Sequence, residues 1–285
     1  MKKIRIAVIG LSGQSIFLNI DEFHKDGETK QASNVFIEPG GKGYNQAIAC
    51  KRLGADVFYL SSVGKDEFGK QCEEYMKKEG IETYYVYKDE PTAVATIITN
   101  NKGENQVTVF KGASNSLTLE DLEKFKPIIK NCDILLVQNE IPYLVLQEAL
   151  IYAYSHNIYT ILNPAPAVYD INTIIPYVNM LIPNKAEAMQ IFKQDIDTIN
   201  HNNMIITLGE EGCMYINGGK KKKYKAYKVK PIDTTGAGDV FCAAIATQIK
   251  LSDNINGIIA FANKAASLHI KKAHVLDAIP YLKEI

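Results

Sequence analysis

Asp233-Thr234-Thr235-Gly236-Ala237-Gly238-Asp239 puts two glycines, an alanine and a carboxylate at the head of an apolar run that continues through Ala246. Glycines around an alanine let the backbone turn tightly and expose successive N–H groups. The run beyond is apolar almost all round, which predicts a buried helix over 237–249. Unpaired N–H groups at a helix start carry partial positive charge and suit a phosphate. Asp239 falls in the first turn of that helix. A carboxylate there takes a proton from an alcohol while the amides of Gly236, Ala237 and Gly238 hold the phosphoryl group under attack. The plainer reading, a glycine turn with a capping aspartate, is the usual one for an isolated Gly-x-Gly-Asp.

A second motif outweighs that plainer reading. Gly40-Gly41-Lys42-Gly43-Tyr44-Asn45-Gln46-Ala47 brings three glycines and a lysine to the start of another helix. It lacks the Gly-x-x-x-x-Gly-Lys-Ser/Thr spacing of a P-loop. The two clusters, in this order and some 190 residues apart, resemble the paired signatures of the PfkB (ribokinase-like) family of sugar and nucleoside kinases. The resemblance extends through Gly112-Ala113-Ser114-Asn115, Asn163-Pro164-Ala165-Pro166-Ala167, Asn184-Lys185-Ala186-Glu187 and Ile206-Thr207-Leu208-Gly209 with Gly212.

That resemblance implies an ATP- and Mg²⁺-dependent kinase of a sugar or sugar-like alcohol, with Asp239 as base. Gly41, Lys42, Asn45 and Glu140 match sugar-contacting positions. Asn184 and Glu187, three apart on one helical face, match residues that organise Mg²⁺ and its waters; Asn184 also reads as a simple helix N-cap. Thr207, Gly209 and Gly212 match the nucleotide-phosphate and ribose region, and Asn263 a position near the adenine. An asparagine on an apolar helix also serves as a local polar tie.

The chain departs from the pattern in three places. After the first strand the family carries an asparagine and an aspartate that grip sugar hydroxyls. Gly13 and Ser15 stand there, with Ser12, Gln14 and Ser15 as hydrogen-bonding replacements. The family's activating monovalent-cation loop has a small Gly-Ala segment, where this chain has Ala273-His274-Val275-Leu276-Asp277-Ala278. The link 192–204 leaves room only for a stub where a further helix is common.

The elements that position these residues follow from periodicity. Short apolar runs at 4–9, 57–63, 134–137, 159–162, 180–182 and 204–208 suit strands of a parallel sheet buried on both faces. Helical patterns at 69–78, 143–154, 185–192 and 237–249 alternate with them, predicting a doubly wound α/β fold in one domain over 1–285. Ligands bind at the carboxyl ends of such strands. Gly10, Asn139, Glu140, Asn163 and Asn184 all follow strands and would share one crevice. The β-rich pieces at 28–38 and 92–110 break the rhythm and predict a small second sheet, by resemblance a lid over the sugar and a homodimer contact; an ordinary edge hairpin is the alternative.

Bulk properties narrow the classes. Formal net charge is zero over 285 residues, which gives no electrostatic case for nucleic acid or an anionic membrane. Lys220-Lys221-Lys222-Lys223 after Gly218-Gly219 reads as a solubilising hairpin edge. Five scattered cysteines without metal spacing read as small buried residues of a reducing compartment. No apolar stretch is long enough to cross a bilayer, and a cytoplasmic enzyme is expected. The five histidines show neither metal spacing nor a nucleophile partner. A nucleoside kinase of the same fold is the nearest alternative. A dinucleotide-binding oxidoreductase leaves Gly236 to Asp239 unexplained, and Asp239, Asn184 and Glu187 weigh against a non-catalytic relative.

Overall fold

The computed structural model describes residues 3–285. The chain begins β1 (Arg5–Ile9), β2 (Gly13–Asn19), β3 (Asn34–Gly40), α1 (Lys42–Arg52), β4 (Asp56–Gly64), α2 (Glu67–Lys78), β5 (Glu82–Lys88), β6 (Ala93–Thr99) and β7 (Asn105–Phe110). It continues α3 (Leu119–Lys130), β8 (Ile134–Gln138), α4 (Tyr143–Ser155), β9 (Tyr159–Asn163), β10 (Met180–Leu181), α5 (Lys185–Phe192) and β11 (Met204–Thr207). It ends β12 (Cys213–Asn217), β13 (Lys220–Tyr224), α6 (Ala237–Gln248), α7 (Ile255–His269) and α8 (Val275–Ala278).

The large sheet runs β13-β12-β11-β10-β9-β8-β1-β4-β5. It is parallel from β11 to β5, and the β11–β12 and β12–β13 pairs are antiparallel. Its central strands are apolar on both sides because both sides are covered. Along β1, Ile6 and Val8 pack under α1, α6 and α7, while Ala7 and Ile9 pack under α3 and α4. Each face is therefore a separate apolar layer, as period-two alternation with no polar face requires.

A second, four-stranded sheet runs β3-β2-β6-β7. The extended piece expected at 28–38 is a strand only from Asn34, and it continues to Gly40. The stretch 28–33 makes no ladder. Strand β2, interior beside β6, opens Gly-Gln-Ser, which reads in sequence as a loop. It pairs antiparallel with β3 and parallel with β6 through its whole length. The four lysines at 220–223 are exposed on β13, the last strand of the large sheet, after a turn with Gly218 and Gly219 at φ 56° and 78°. Between Phe192 and Met204 the chain forms turns without a helix.

Candidate active site

The carboxyl ends of β1, β8, β9 and β10 lie side by side, and the two glycine motifs close over them. At the first motif Gly41 takes φ 124°, and a Cβ there would fall 2.3 Å from the Leu11 carbonyl oxygen. A bulkier residue would push α1 off β1. Gly10 and Gly43 make the same approach, since a Cβ on either would come within 2.6 Å of the other's Cα. The close fit sets the α1 N-terminus at the sheet edge. The Lys42 amide there donates to Glu140 Oε2 at 2.7 Å, so a carboxylate from beyond β8 caps a helix that has none of its own.

At the second motif Gly236 caps α6 at φ 80°. A Cβ on Gly236 would strike Val275 Cγ1 at 2.7 Å, whereas one on Gly238 would meet nothing within 4 Å. One side of the turn is packed and the other faces open space, which is the shape of an anion cradle built from backbone N–H groups. Asp239, 7% exposed, sits just inside. Asn45 Nδ2 donates to its Oδ2 and Gln46 Nε2 to its Oδ1, both at 3.0 Å.

Behind this pair runs a buried relay of amides. Gln138 Nε2 donates to Gln46 Oε1 at 2.6 Å, Gln46 Nε2 also reaches Asn163 Oδ1 at 3.1 Å, and Asn163 Nδ2 donates to the Ile182 carbonyl at 2.8 Å. The relay joins the ends of β8 and β9 to the chain after β10, and it fixes the carboxylate through α1. Gln46 and Gln138 escaped the sequence reading. The signal available was the amide side chain immediately after Asn45 and the one ending the β8 run.

Lys42 lies among carboxylates. Burial disfavours its ammonium form, but Asp239, Glu140 and Glu187 outweigh it and hold its pKa above the ordinary lysine value. Burial pushes the Glu187 carboxyl up, against the Asn184 amide and Lys42. Asn184 caps α5 in a reciprocal box: its Oδ1 accepts from the Glu187 amide, and Glu187 Oε2 from the Asn184 amide, both at 2.8 Å. Asn184 also bridges Thr207 at the end of β11. Beyond it Gly209 (φ 60°) has open space where a Cβ would go, while a Cβ on Gly212 would lie 2.0 Å from the Tyr224 carbonyl. Asn263 is 8% exposed on α7 and donates to the Lys225 carbonyl at 3.4 Å, the local tie that its apolar helix predicted.

The cleft between the sheets is lined by Leu11, Gly13, Ser15, Ala93, Ala95 and Val109, with Gly41 and Glu140 at its base. Of the three polar residues expected here, only the Ser15 hydroxyl is left to it. Ser12 bonds the hydroxyls of Tyr59 and Tyr85, each at 3.0 Å, and the Gln14 amide turns to Gln71 on α2. Asn139 likewise ties the 163–167 loop through the Pro166 carbonyl. An open hollow by Asp21, Glu22, Lys30 and Gln31 holds none of the candidate residues.

Known proteins are similar to this chain over nearly its whole length. A ribokinase of Staphylococcus aureus is 33% identical over 99% of this chain and 98% of its own, and one of Bacillus subtilis 35% over 98% and 97%. A deoxyribokinase of Salmonella typhi is 28% identical over 98% and 96%. The crystal structure of a ribokinase from Thermotoga maritima superposes with a TM-score of 0.89 at 31% identity, covering 99% of this chain and 97% of that one. The description "pfkB family carbohydrate kinase" matches residues 3–281, and with the two glycine turns, the buried aspartate and the sheet order in place, the chain belongs to the pfkB family of carbohydrate kinases.

Proposed function

We propose that this kinase transfers the γ-phosphoryl group of Mg·ATP to a primary hydroxyl of a sugar or sugar-like alcohol, with Asp239 as base. The observation that carries the reading is the buried Asp239 carboxylate, held on both oxygens by Asn45 and Gln46 beside a turn open at Gly238. Phosphoryl transfer needs a proton acceptor, in-line positioning and donors on developing charge rather than covalent chemistry from the protein. Asp239 takes the hydroxyl proton. The amides of residues 236–238 neutralise charge on the phosphoryl oxygens, and Lys42 adds a positive charge close by.

The residues fit a nucleotide and its metal. Gly209 and Gly238 leave open backbone where phosphate oxygens approach, and Asn184, Glu187 and Thr207 stand together. Among the described residues no three His, Cys, Asp or Glu side chains converge as a metal cage. A Mg²⁺ carried with nucleotide phosphates keeps several waters and needs only one or two carboxylates. Glu187 is the carboxylate we assign, acting through water; bound there, the metal offsets phosphate charge. In this reading Asn263 is the residue near the adenine, and Gly212 shapes the turn after Gly209.

Gly41, Lys42, Asn45, Glu140 and Ser15 are the acceptor contacts in this reading, and the small sheet is a lid that closes over them. Its outer face supports a homodimer. Val35 and Ile37 are 56% and 50% exposed on β3 and stand opposite Leu18 and Ile16 of β2, an apolar edge that pairing with a second copy would cover. The expected outcome is that Ile37→Asp sediments as a monomer where the parental chain sediments as a dimer; a parental monomer at micromolar concentration removes the dimer. Five free, buried cysteines support a cytoplasmic setting, and no described helix is long and apolar enough to cross a membrane.

A nucleoside acceptor is the second reading, favoured by the apolar cleft walls Leu11, Ala93, Ala95 and Val109. A panel of pentoses, deoxy-sugars, hexoses and nucleosides, screened for stimulated ATP consumption, decides between them. Absence of Mg·ATP binding, or stimulation by no alcohol, would overturn the kinase reading.

A further inference from the structure

The resemblance seen in the sequence implies an activating monovalent-cation loop near the C-terminal end, and the residues standing there do not fit one. Such a site needs oxygens aimed at the ion in place of its hydration shell. The Thr235 carbonyl oxygen, in the turn leading to Gly236, already accepts a 2.7 Å bond from His269 Nε2. A carbonyl only accepts, so Nε2 carries the proton. The ring is 1% exposed and stands 3.1 Å from where a Cβ on Gly236 would lie.

Across the loop the backbone presents donors rather than carbonyl oxygens. The amides of Val275 and Leu276 donate to Glu38 Oε1 and Oε2 at 2.8 and 3.1 Å. His274, at φ 67°, opens α8 without a side-chain cap. Glu38 supplies that cap from β3, 237 residues away in the chain. Phe36, two residues earlier on the same face of β3, lies over the His274 ring at 3.5 Å between centroids. Val275, whose amide Glu38 holds, is the residue packed against Gly236. An unbroken set of contacts therefore runs from the small sheet through α8 to the turn that heads α6.

We propose that His269 and Glu38 are positioning residues that hold the 233–236 turn with the protein's own hydrogen bonds in place of a monovalent cation. Through Glu38 the seated lid and the anion-binding turn are coupled. Burial lowers the His269 pKa against the pull of the Thr235 carbonyl, Asp239 and Asp233, which suits a neutral ring acting as a donor. Burial raises that of Glu38 against the two amides and His274, with Asp277 adding to the rise.

The catalytic meaning of this bracket rests on the kinase reading, but the ordering of the turn is measurable without substrate. The test is hydrogen–deuterium exchange of the full chain at one ionic strength in potassium chloride and in tetramethylammonium chloride, following residues 233–240 and 275–278. The parental chain is expected to exchange both segments at the same rate in the two salts. His269→Leu and Glu38→Gln, each leaving a backbone group unpaired, should speed exchange in 233–240 by about tenfold or more in both salts. Peptides of β1 and β8 should stay unchanged, which separates local release from general destabilisation. Potassium slowing parental exchange in 233–240, or neither variant altering that segment, overturns the proposal. The salt comparison needs no variant and stands even if a substitution prevents folding. Mg·ATP binding reports separately on the kinase reading.

Discussion

In the proposed mechanism Asp239 serves as base only while its carboxylate is aimed at the acceptor, and the amide donors of Asn45 and Gln46 fix its rotation. Asp239→Asn keeps the volume and removes the base, so turnover should fall by roughly two to four powers of ten while Mg·ATP still binds; near-parental kcat would assign the base elsewhere. Gln46→Leu tests the relay. It strips one donor from Asp239 and leaves Gln138 and Asn163 each short of a partner in a buried place. Leaving buried polar groups unmatched costs about 1–3 kcal/mol each, so both the thermal midpoint and kcat should drop, with little change in nucleotide affinity. A fall in stability alone would make Gln46 a core residue and nothing more. Asp239, Lys42 and Asn45 were legible in the sequence because glycine turns announce where backbone donors are exposed. Gln46 and Gln138 were not, because their partners lie 92 to 193 residues away and neither has a spacing of its own. His269 and Glu38 were invisible for the same reason: a buried histidine and a strand glutamate acquire meaning only from the carbonyl and amides brought to them.

At the scale of elements, α1 and α6 share the work of aiming the site, and α1 is anchored at its far end. Arg52 closes α1 with its guanidinium 6% exposed, 2.6 Å from Glu79 at the end of α2, and it donates to the carbonyls of Leu276 and Ile279 around α8. Removing one member of a buried ion pair leaves the other charge uncompensated and costs roughly 3–5 kcal/mol. Glu79→Ala should therefore lower the thermal midpoint strongly, and it should loosen α8, which Arg52 holds from the side opposite Glu38. A midpoint within a degree of the parental one would show that solvent reaches the pair and screens it. Six strands of the large sheet, β1, β4 and β8 to β11, were readable because burial on both faces leaves continuous apolar runs, and their observed ends fall within one or two residues of the periodicity; β5 and β13, half-buried or exposed, and β12 were not. The small sheet was read only in part. Its β6–β7 hairpin falls in the piece expected at 92–110, whereas β2 begins with polar residues and lacks the one-sided burial that makes alternation visible, and it joins the sheet by pairing with distant segments.

For the molecule as a whole, the acceptor is chosen where the two sheets meet, and the chemistry available there is sparse. Ser12 and the Gln14 amide nitrogen bond Tyr59, Tyr85 and Gln71, and Gln14 Oε1 is buried without a partner, so the hydroxyl that β2 offers the cleft is that of Ser15, beside Gly13. Hydrogen bonds to a charged group contribute roughly 1.5–3 kcal/mol against about 1 kcal/mol for neutral partners. A vicinal diol met by serine and glycine is therefore held more weakly than one met by a carboxylate, by one to two powers of ten for a loss of about 1.4–2.8 kcal/mol. In the proposed assignment the reacting end keeps Lys42, Asn45, Glu140 and Asp239, so a primary alcohol should still be phosphorylated once bound. Ala93 and Ala95, the cross-strand neighbours of Gly13 and Ser15 on the same sheet, and Val109 opposite Ala95 favour apolar substituents over hydroxyls. D-Ribose should accordingly be a poor acceptor, with the deficit in KM more than in kcat because the missing contacts are made equally in the ground and transition states. Deoxy-sugars or nucleosides should show the higher kcat/KM. Ser15→Asp should shift preference back towards ribose, since it restores a charged partner at the position of β2 that already offers a hydroxyl to the cleft. Ribose emerging as the best parental acceptor by a wide margin would mean that ordered water, or Glu140 turned away from the Lys42 amide, supplies the grip that Gly13 and Ser15 lack.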